Sequence, residues 1–353
     1  MKTLCFYISD YGYGHASRSI ALIREIVRTR SDVTVIAKTS GPYEFTRKSL
    51  IHPRVSVIQC RNDCEVELKE GLSVVDREKT RELFLAWVHT WDEYLSRECA
   101  FCREHKVDLI LSDIAPQPFL VAEALGIPGI AVSNFSWDTI FEHLFPEVDE
   151  VSRLRDAYRK ASYACVLPFD IGMDRFAVQE RVGLVSRNIT VSRSEMRHRL
   201  GVPENDFLVF VGKSPDTPLL SGDPGIRFLV SSGNSCPDVL VIPAEETESQ
   251  DWIGMCDCVV TKCGYSTVSE AVRAHVPVLV WKREGFIEDS AISAKIETLG
   301  IGKMVSGAAD GVDYCLTDRS SIERFRHRYE TIDPLYHENG IYAILRVIQR
   351  MIG

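Results

Sequence analysis

Residues 257–289 read DCVVTKCGYSTVSEAVRAHVPVLVWKREGFIED. The run CVVTK at 258–262 reads as a buried strand, and it leads into Lys262-Cys263-Gly264. From Ser266 the spacing becomes helical, PVLVW at 277–281 is a second buried strand, and Glu288-Asp289 opens another helix. Strand, glycine loop, helix, strand is a βαβ unit of a parallel sheet. Gly264 lets an anion approach the backbone, and Ser266 and Thr267 offer hydroxyls beside the helix N-terminus. Lys262 adds a positive charge, Glu270 is placed to accept from a vicinal diol, and Glu288 with Asp289 offers acceptors for sugar hydroxyls at the same sheet edge. A competing reading is a capping box in which Ser266 or Thr267 caps the helix and Glu270 reaches back to it. That reading covers Glu270 but not Gly264 or the second acidic pair.

Outward from this stretch the alternation continues. In the C-terminal half, helix 194–200 is followed by strands 207–212, 227–232 and 239–243, helix 249–255, helix 289–299 and a final helix around 340–351. The N-terminal half opens with strand LCFYIS (3–8), the loop DYGYGH (10–15) and a helix carrying Ile20, Ile23, Ile26 and Val27 on one face. Strands follow at 33–37, 55–59, 107–113 and 127–134, with one long helical region at 77–105 carrying Leu83, Trp87, Trp91 and Leu95. The pattern breaks at 168–192, which places a domain boundary at about 185. The expected division is 1–185, 186–338 and a terminal helix, 339–353, that packs back on the first domain.

Composition limits the partners. The net charge of −9 argues against nucleic acid, which favours a concentrated basic face. No apolar run reaches a membrane-spanning length, and the N-terminus reads as a strand and not as a secretory signal, so a cytoplasmic location is expected. Arg153, Arg155, Arg159 and Lys160 hint at no more than peripheral contact with an anionic membrane. The eleven cysteines lack paired CxxC spacing, and their odd count does not suit a full disulfide framework; buried reduced thiols are expected, with no metal.

Gly12 and Gly14 in DYGYGH read equally as a structural turn or as a ligand loop, without the third glycine of a dinucleotide signature. His15, at the loop's exit, suits a general base on a hydroxyl, or a brace for the loop. Asp113 ends its strand at the carboxyl edge of the sheet, where it either orients His15 or caps the next helix. The segment NFSWDTIFEHLFPE (134–147) places Trp137, Phe141 and Phe145 either in the core or against an acceptor.

With these residues laid out, the chain resembles the MurG-like and UDP-glycosyltransferase families, whose GT-B fold sets two Rossmann-like α/β domains facing across a cleft. KCGYSTVSE is similar to the HCGWNSxxE stretch of plant UDP-glycosyltransferases. By that resemblance Lys262 stands for a phosphate-binding His, Ser266 for Asn, Thr267 for Ser, and Glu270 for the ribose-binding Glu. Glu288-Asp289 stands where those enzymes carry an Asp-Gln pair for the donor sugar, and His15 with Asp113 stands for their His–Asp dyad. YGYGHASRS, LILSDIAPQPFLVAEALGIP, VSNFSWDTIF and KCGYSTVSEAV resemble more closely the glycosyltransferase-like N-terminal half of plant L-arabinokinases. No GLSSS-like phosphate loop of the kinase half occurs in this sequence, so sugar kinase activity is not expected of it. The chain departs from the family at GKSPDTP (212–218), where MurG-like enzymes carry a Gly-Gly-Ser type loop; Lys213 and Ser214 are the substitutes there. The resemblance implies an N-terminal acceptor domain and a C-terminal donor domain, a UDP-sugar co-substrate, a small-molecule, glycan or lipid-linked acceptor, and no cofactor. A nucleotide-sugar hydrolase or epimerase, or a non-catalytic nucleotide-sugar binding module, is the alternative on the same scaffold.

Overall fold

A computed structural model describes residues 1–214, 217, 218, 220, 225–231 and 239–353. Pro215 and Asp216 of the GKSPDTP loop, and Ser232 of the expected strand 227–232, lie outside the described residues. The chain divides into two compact units. Met1–Leu68, Val75–Val185 and Asn339–Gly353 make the first, and Lys69–Val74 with Ser186–Glu338 the second.

In the first unit β1 (Lys2–Ile8), α1 (Gly12–Thr29), β2 (Val33–Thr39), α2 (Tyr43–Ser49) and β3 (Val55–Gln59) are followed by the helices α3 (Arg77–His89) and α4 (Trp91–Glu104). Then come β4 (Leu109–Asp113), α5 (Gln117–Leu125), β5 (Gly129–Ser133), α6 (Trp137–Leu144), α7 (Val151–Tyr158), β6 (Tyr163–Val166) and β7 (Gln179–Arg181). The second unit holds α8 (Arg193–Arg199), β8 (Phe207–Val211), β9 (Ile226–Ser231), β10 (Leu240–Ile242), α9 (Ser249–Gly254), β11 (Cys258–Lys262) and α10 (Tyr265–Arg273). It continues through β12 (Val278–Trp281), α11 (Ile287–Leu299), β13 (Gly302–Met304), α12 (Ala308–Thr317) and α13 (Arg319–Arg328), before α14 (Ile341–Ile352) rejoins the first unit.

Among the described residues the two sheets have seven and six strands, in the orders β3-β2-β1-β4-β5-β6-β7 and β10-β9-β8-β11-β12-β13. Every neighbouring pair is parallel. Parallel strands need cover on both faces, which is why β4, β5, β8 and β12 are buried at every residue. In each sheet the order reverses once, at β1/β4 and at β8/β11. In open α/β sheets the crevice beyond the strands' carboxyl ends at such a reversal is the ligand position.

Two sequence expectations change. The helical region 77–105 is two helices, because the Thr90 hydroxyl donates to the Trp87 carbonyl (2.7 Å) and the chain turns there. Gly14 and His15 lie in the first turn of α1 and not in a loop, since the helix already begins at Gly12, itself at φ +69°. Lys69–Val74, unassigned by the sequence, joins the second unit, where the Glu284 N–H donates to the Ser73 carbonyl at 2.7 Å.

The same stop signal ends a helix in each unit. At Leu125-Gly126-Ile127 the Ile127 N–H reaches the Ala122 carbonyl and the Gly126 N–H that of Glu123; at Leu299-Gly300-Ile301 the partners are Ile296 and Glu297. Both glycines are left-handed, at φ +65° and +69°, and each hands the chain to a strand. A methyl group at Gly126 would meet nothing within 4 Å, so only its backbone conformation opposes a side chain. Gly126→Ala is therefore expected to lower stability by about 1 kcal/mol in urea unfolding; an unchanged midpoint would remove this account of the turn.

Candidate functional site

The reversal point of the first sheet carries a buried polar network. His15 is in the first turn of α1, directly after β1, and Asp113 is the last residue of the adjoining β4, in register with Ile8. The sheet thus brings together residues 98 apart in sequence, with His15 Nδ1 2.8 Å from Asp113 Oδ1. Arg18, one turn further along α1, donates from Nε to Asp113 Oδ2 (2.7 Å), from Nη2 to Oδ1 (2.5 Å) and from Nη1 to Asn134 Oδ1 (2.7 Å). The Ser19 hydroxyl also donates to Asp113, at 3.2 Å. Burial alone would push the Asp113 carboxyl upward, but the charges and hydrogen bonds of Arg18 and His15 outweigh it and hold the group at about 2.

An ionised Asp113 only accepts hydrogen bonds, so in the tautomer that donates to it His15 carries the proton on Nδ1. In that tautomer Nε2 carries the lone pair, the arrangement that suits proton abstraction. Arg18 Nη2 stands 2.9 Å from the same Nδ1 and 2.5 Å from Asp113 Oδ1, so Asp113 and Arg18 both meet the imidazole at this nitrogen. The alternative of Asp113 as a helix cap is not what is found: α5 starts behind Pro116 with no side-chain cap.

Beside this network two carboxylates brace the loops after β1 and β3. Asp10 accepts from the Ser40 and Asn62 N–H groups (2.5 and 2.6 Å), and Asp63 accepts from the Asp10 N–H (2.8 Å) and from Trp137 Nε1 (3.0 Å). Both carboxyls are pushed up, by burial first, and for Asp63 next by the neighbouring Asp10. Trp137, for which both the core and an acceptor contact were open, is fully buried, fixed by Asp63 and stacked on Phe141 with centroids 5.2 Å apart. It is a core residue, as are Phe141 and Phe145. Nor do the cations of 153–160 form an open basic face: Arg153, Arg155, Arg159 and Lys160 each face a carboxylate, on Asp92, Glu142, Asp156 and Glu123.

In the second unit the reversal point lies between the ends of β8 and β11, so the loops starting at Gly212 and Cys263 are neighbours. Lys213 is exposed, and the Thr217 hydroxyl accepts the Ser214 N–H at 3.1 Å. Gly264 precedes α10 at φ −89°, and a methyl group placed on it would have no neighbour nearer than 3.9 Å. Neither backbone strain nor internal packing therefore demands glycine there. Ser266 and Thr267 sit half-exposed in the first turn of α10. Lys262, at the end of β11, keeps solvent access, while shielding by its surroundings and the nearby Arg283 charge lower its pKa.

The acidic residues are held differently from the expectation. Glu270 closes no capping box: Arg187 donates to its Oε1 from Nε (3.2 Å) and Nη2 (2.6 Å), and burial raises its pKa against that pairing. Asp289 accepts from the Arg283 backbone N–H (2.7 Å), from Nε (3.0 Å) and from Nη2 (2.6 Å), and is wholly buried. It is thus committed to anchoring the first turn of α11 and is not an open sugar ligand. Glu288 lies 3.7 Å from Arg283 Nη2. Sequence reading missed Arg18, Arg187 and Arg283; only Arg283, six residues from its partner, left a local signal. The ten described cysteines are buried and unpaired, and no cluster suited to a metal occurs among the described residues.

Two parallel-sheet α/β units, each with its polar groups at the reversal of strand order, define the GT-B fold of glycosyltransferases, and the chain has that fold. It is similar over 99% of its length to UDP-glucose:anthocyanidin 3-O-glucosyltransferase in complex with UDP (98% of that chain, TM-score 0.67, 12% identity). A similar match is UGT2 of Phytolacca americana complexed with UDP-2-fluoro-glucose and pterostilbene (99% of this chain, 100% of that chain, TM-score 0.66, 14% identity). In sequence it is 28% identical over 306 residues to L-arabinokinase of Arabidopsis thaliana, covering 83% of this chain but only 29% of the relative's length. It is 28% identical over 387 aligned residues to an uncharacterized glycosyltransferase of Methanosarcina acetivorans, covering 100% of this chain and 99% of that one. No protein-family model matches the chain. Among the described residues no helix is long and apolar enough to cross a membrane.

The Asp113 network has a pH signature. A carboxyl held at about 2 against an ordinary 3.8 stabilises the fold above pH 4, and that stabilisation, about 2 kcal/mol, is lost as pH falls through 2. Asp113→Asn leaves the Arg18 charge buried without its counter-ion and is expected to cost about 3–5 kcal/mol at pH 7. In urea unfolding the gap between the two proteins should narrow from pH 4 towards pH 2; a constant gap would contradict this assignment.

Proposed function

We propose that the chain is a glycosyltransferase that moves a sugar from a nucleoside diphosphate sugar, UDP-linked, to an acceptor hydroxyl. The observation that carries this reading is the His15–Asp113 contact at the reversal point of the first sheet. The first unit acts as the acceptor domain and the second as the donor domain. The GT-B relatives with UDP or a UDP-sugar bound support the choice of donor. Pterostilbene, in one of those complexes, supports an acceptor of small-molecule type.

In the reaction the acceptor O–H gives its proton to His15 Nε2 as the oxygen attacks the anomeric carbon. The bond from that carbon to the diphosphate breaks, and the charge that develops on the leaving oxygens is met by Lys262, the hydroxyls of Ser266 and Thr267, and the backbone beside Gly264. Lys213 and Ser214 border the same diphosphate from the neighbouring loop. Glu270 accepts from the ribose diol, and Glu288 is the carboxylate assigned to the donor sugar, Asp289 being committed to Arg283. Asp113 keeps the imidazole in the required tautomer and balances the positive charge that His15 gains.

A screen of UDP-sugars against a panel of hydroxyl acceptors, read by UDP release and product mass, tests the proposal. His15→Ala is expected to lower transfer by about 10²–10⁴-fold, with the thermal shift produced by UDP unchanged. Transfer that survives His15→Ala, or the absence of any UDP-induced shift in the unaltered protein, would overturn the reading.

A further inference from the structure

Arg187 stands two residues past the point where the chain passes from the first compact unit, ending at Val185, into the second. Its side chain is buried, as is that of its partner Glu270, so the guanidinium has been taken out of water to serve protein acceptors. Those acceptors include Glu270 Oε1, the Ser249 hydroxyl (2.7 Å from Nη2) and the Thr247 carbonyl, which accepts from Nη1. The segment behind Arg187 is stitched down in the same place. Gln250 Nε2 donates to the Asn188 carbonyl (3.3 Å), and the Thr190 N–H donates to Asp251 Oδ1 (2.7 Å). Arg187 donates to Glu270 Oε1 from both Nε and Nη2, and Ser249 adjoins the same carboxyl.

We propose that Arg187 is a positioning residue for nucleotide recognition: it pins Glu270 through Oε1 so that the carboxylate is presented to the ribose diol. This rests on the donor-site reading given above. A planar guanidinium can hold Glu270, Ser249 and Thr247 at once, whereas an ammonium cannot span all three, so the role belongs to arginine and not to positive charge alone. The segment that begins the second unit is by this account part of the nucleotide site.

Calorimetric titration with UDP and with 2′-deoxy-UDP tests it. The unaltered protein is expected to favour UDP by about tenfold, the worth of one hydrogen bond to a charged acceptor. In Arg187→Met that preference should fall below about twofold while the affinity for 2′-deoxy-UDP stays within about twofold of the unaltered value. A general loss of structure would weaken both ligands alike and overturn the proposal. Should Arg187→Met not fold by circular dichroism, Arg187→Lys serves, with the preference expected to drop to about threefold. Full preference retained in either folded variant overturns the role of Arg187 and leaves the donor site intact. Failure of UDP to bind the unaltered protein overturns the donor-site reading, and this proposal with it.

Discussion

A carboxylate at the carboxyl edge of a parallel sheet is useful to a ligand only if it survives burial. Desolvation drives a buried acid towards its neutral form, and this chain answers with guanidinium groups: Arg18 on Asp113, Arg187 on Glu270 and Arg283 on Asp289. The balance differs from pair to pair. Asp113 meets a doubly hydrogen-bonded Arg18 together with His15 and stays low, whereas burial still wins at Glu270. Two of the pairs tie elements distant in sequence, α1 to β4 and the start of the second unit to α10, while the third joins the β12 end to the first turn of α11.

The sheets supply the positions that make these pairs possible. Parallel strands end at one edge, and the reversal of order between β1 and β4 opens the place that His15 and Asp113 occupy. The second sheet repeats the device between β8 and β11, where the Gly212 and Gly264 loops begin. Even the Leu-Gly-Ile stop signal recurs, at 125–127 and 299–301, so the two units share turn chemistry as well as strand order.

The sequence shows the strand–helix alternation because parallel strands, buried on both faces, leave apolar runs that need no partner to be read. The nominated residues at strand ends, His15, Asp113, Lys262 and Gly264, could be placed at the carboxyl edges for the same reason. Partner choice was not legible. Arg18 and Asp113 are 95 residues apart, Arg187 and Glu270 83, and nothing in local spacing announces either pair. Trp137 shows the limit in the other direction: an aromatic-rich segment reads alike whether it faces a ligand or the core, and its indole proved to be fixed by Asp63, a residue with no local relation to it. Asp10 and Asp63 were missed because their role is to hold backbone N–H groups of other loops, which depends on the loops meeting.

The route of the chain bears on how the molecule is made. α14 buries Ile341, Ile344, Val347, Ile348 and Ile352, and Leu184 bridges to Asn339 within the first unit. The first unit thus wraps around the second in sequence: its sheet is translated first, yet its last helix emerges only after every residue of the second unit has left the ribosome. During synthesis the second unit can fold as a whole, while the first waits with the apolar surface that α14 will cover still open to water. The order of completion is the reverse of the order of synthesis, and the stretch most exposed to misfolding on the ribosome is the half that carries His15.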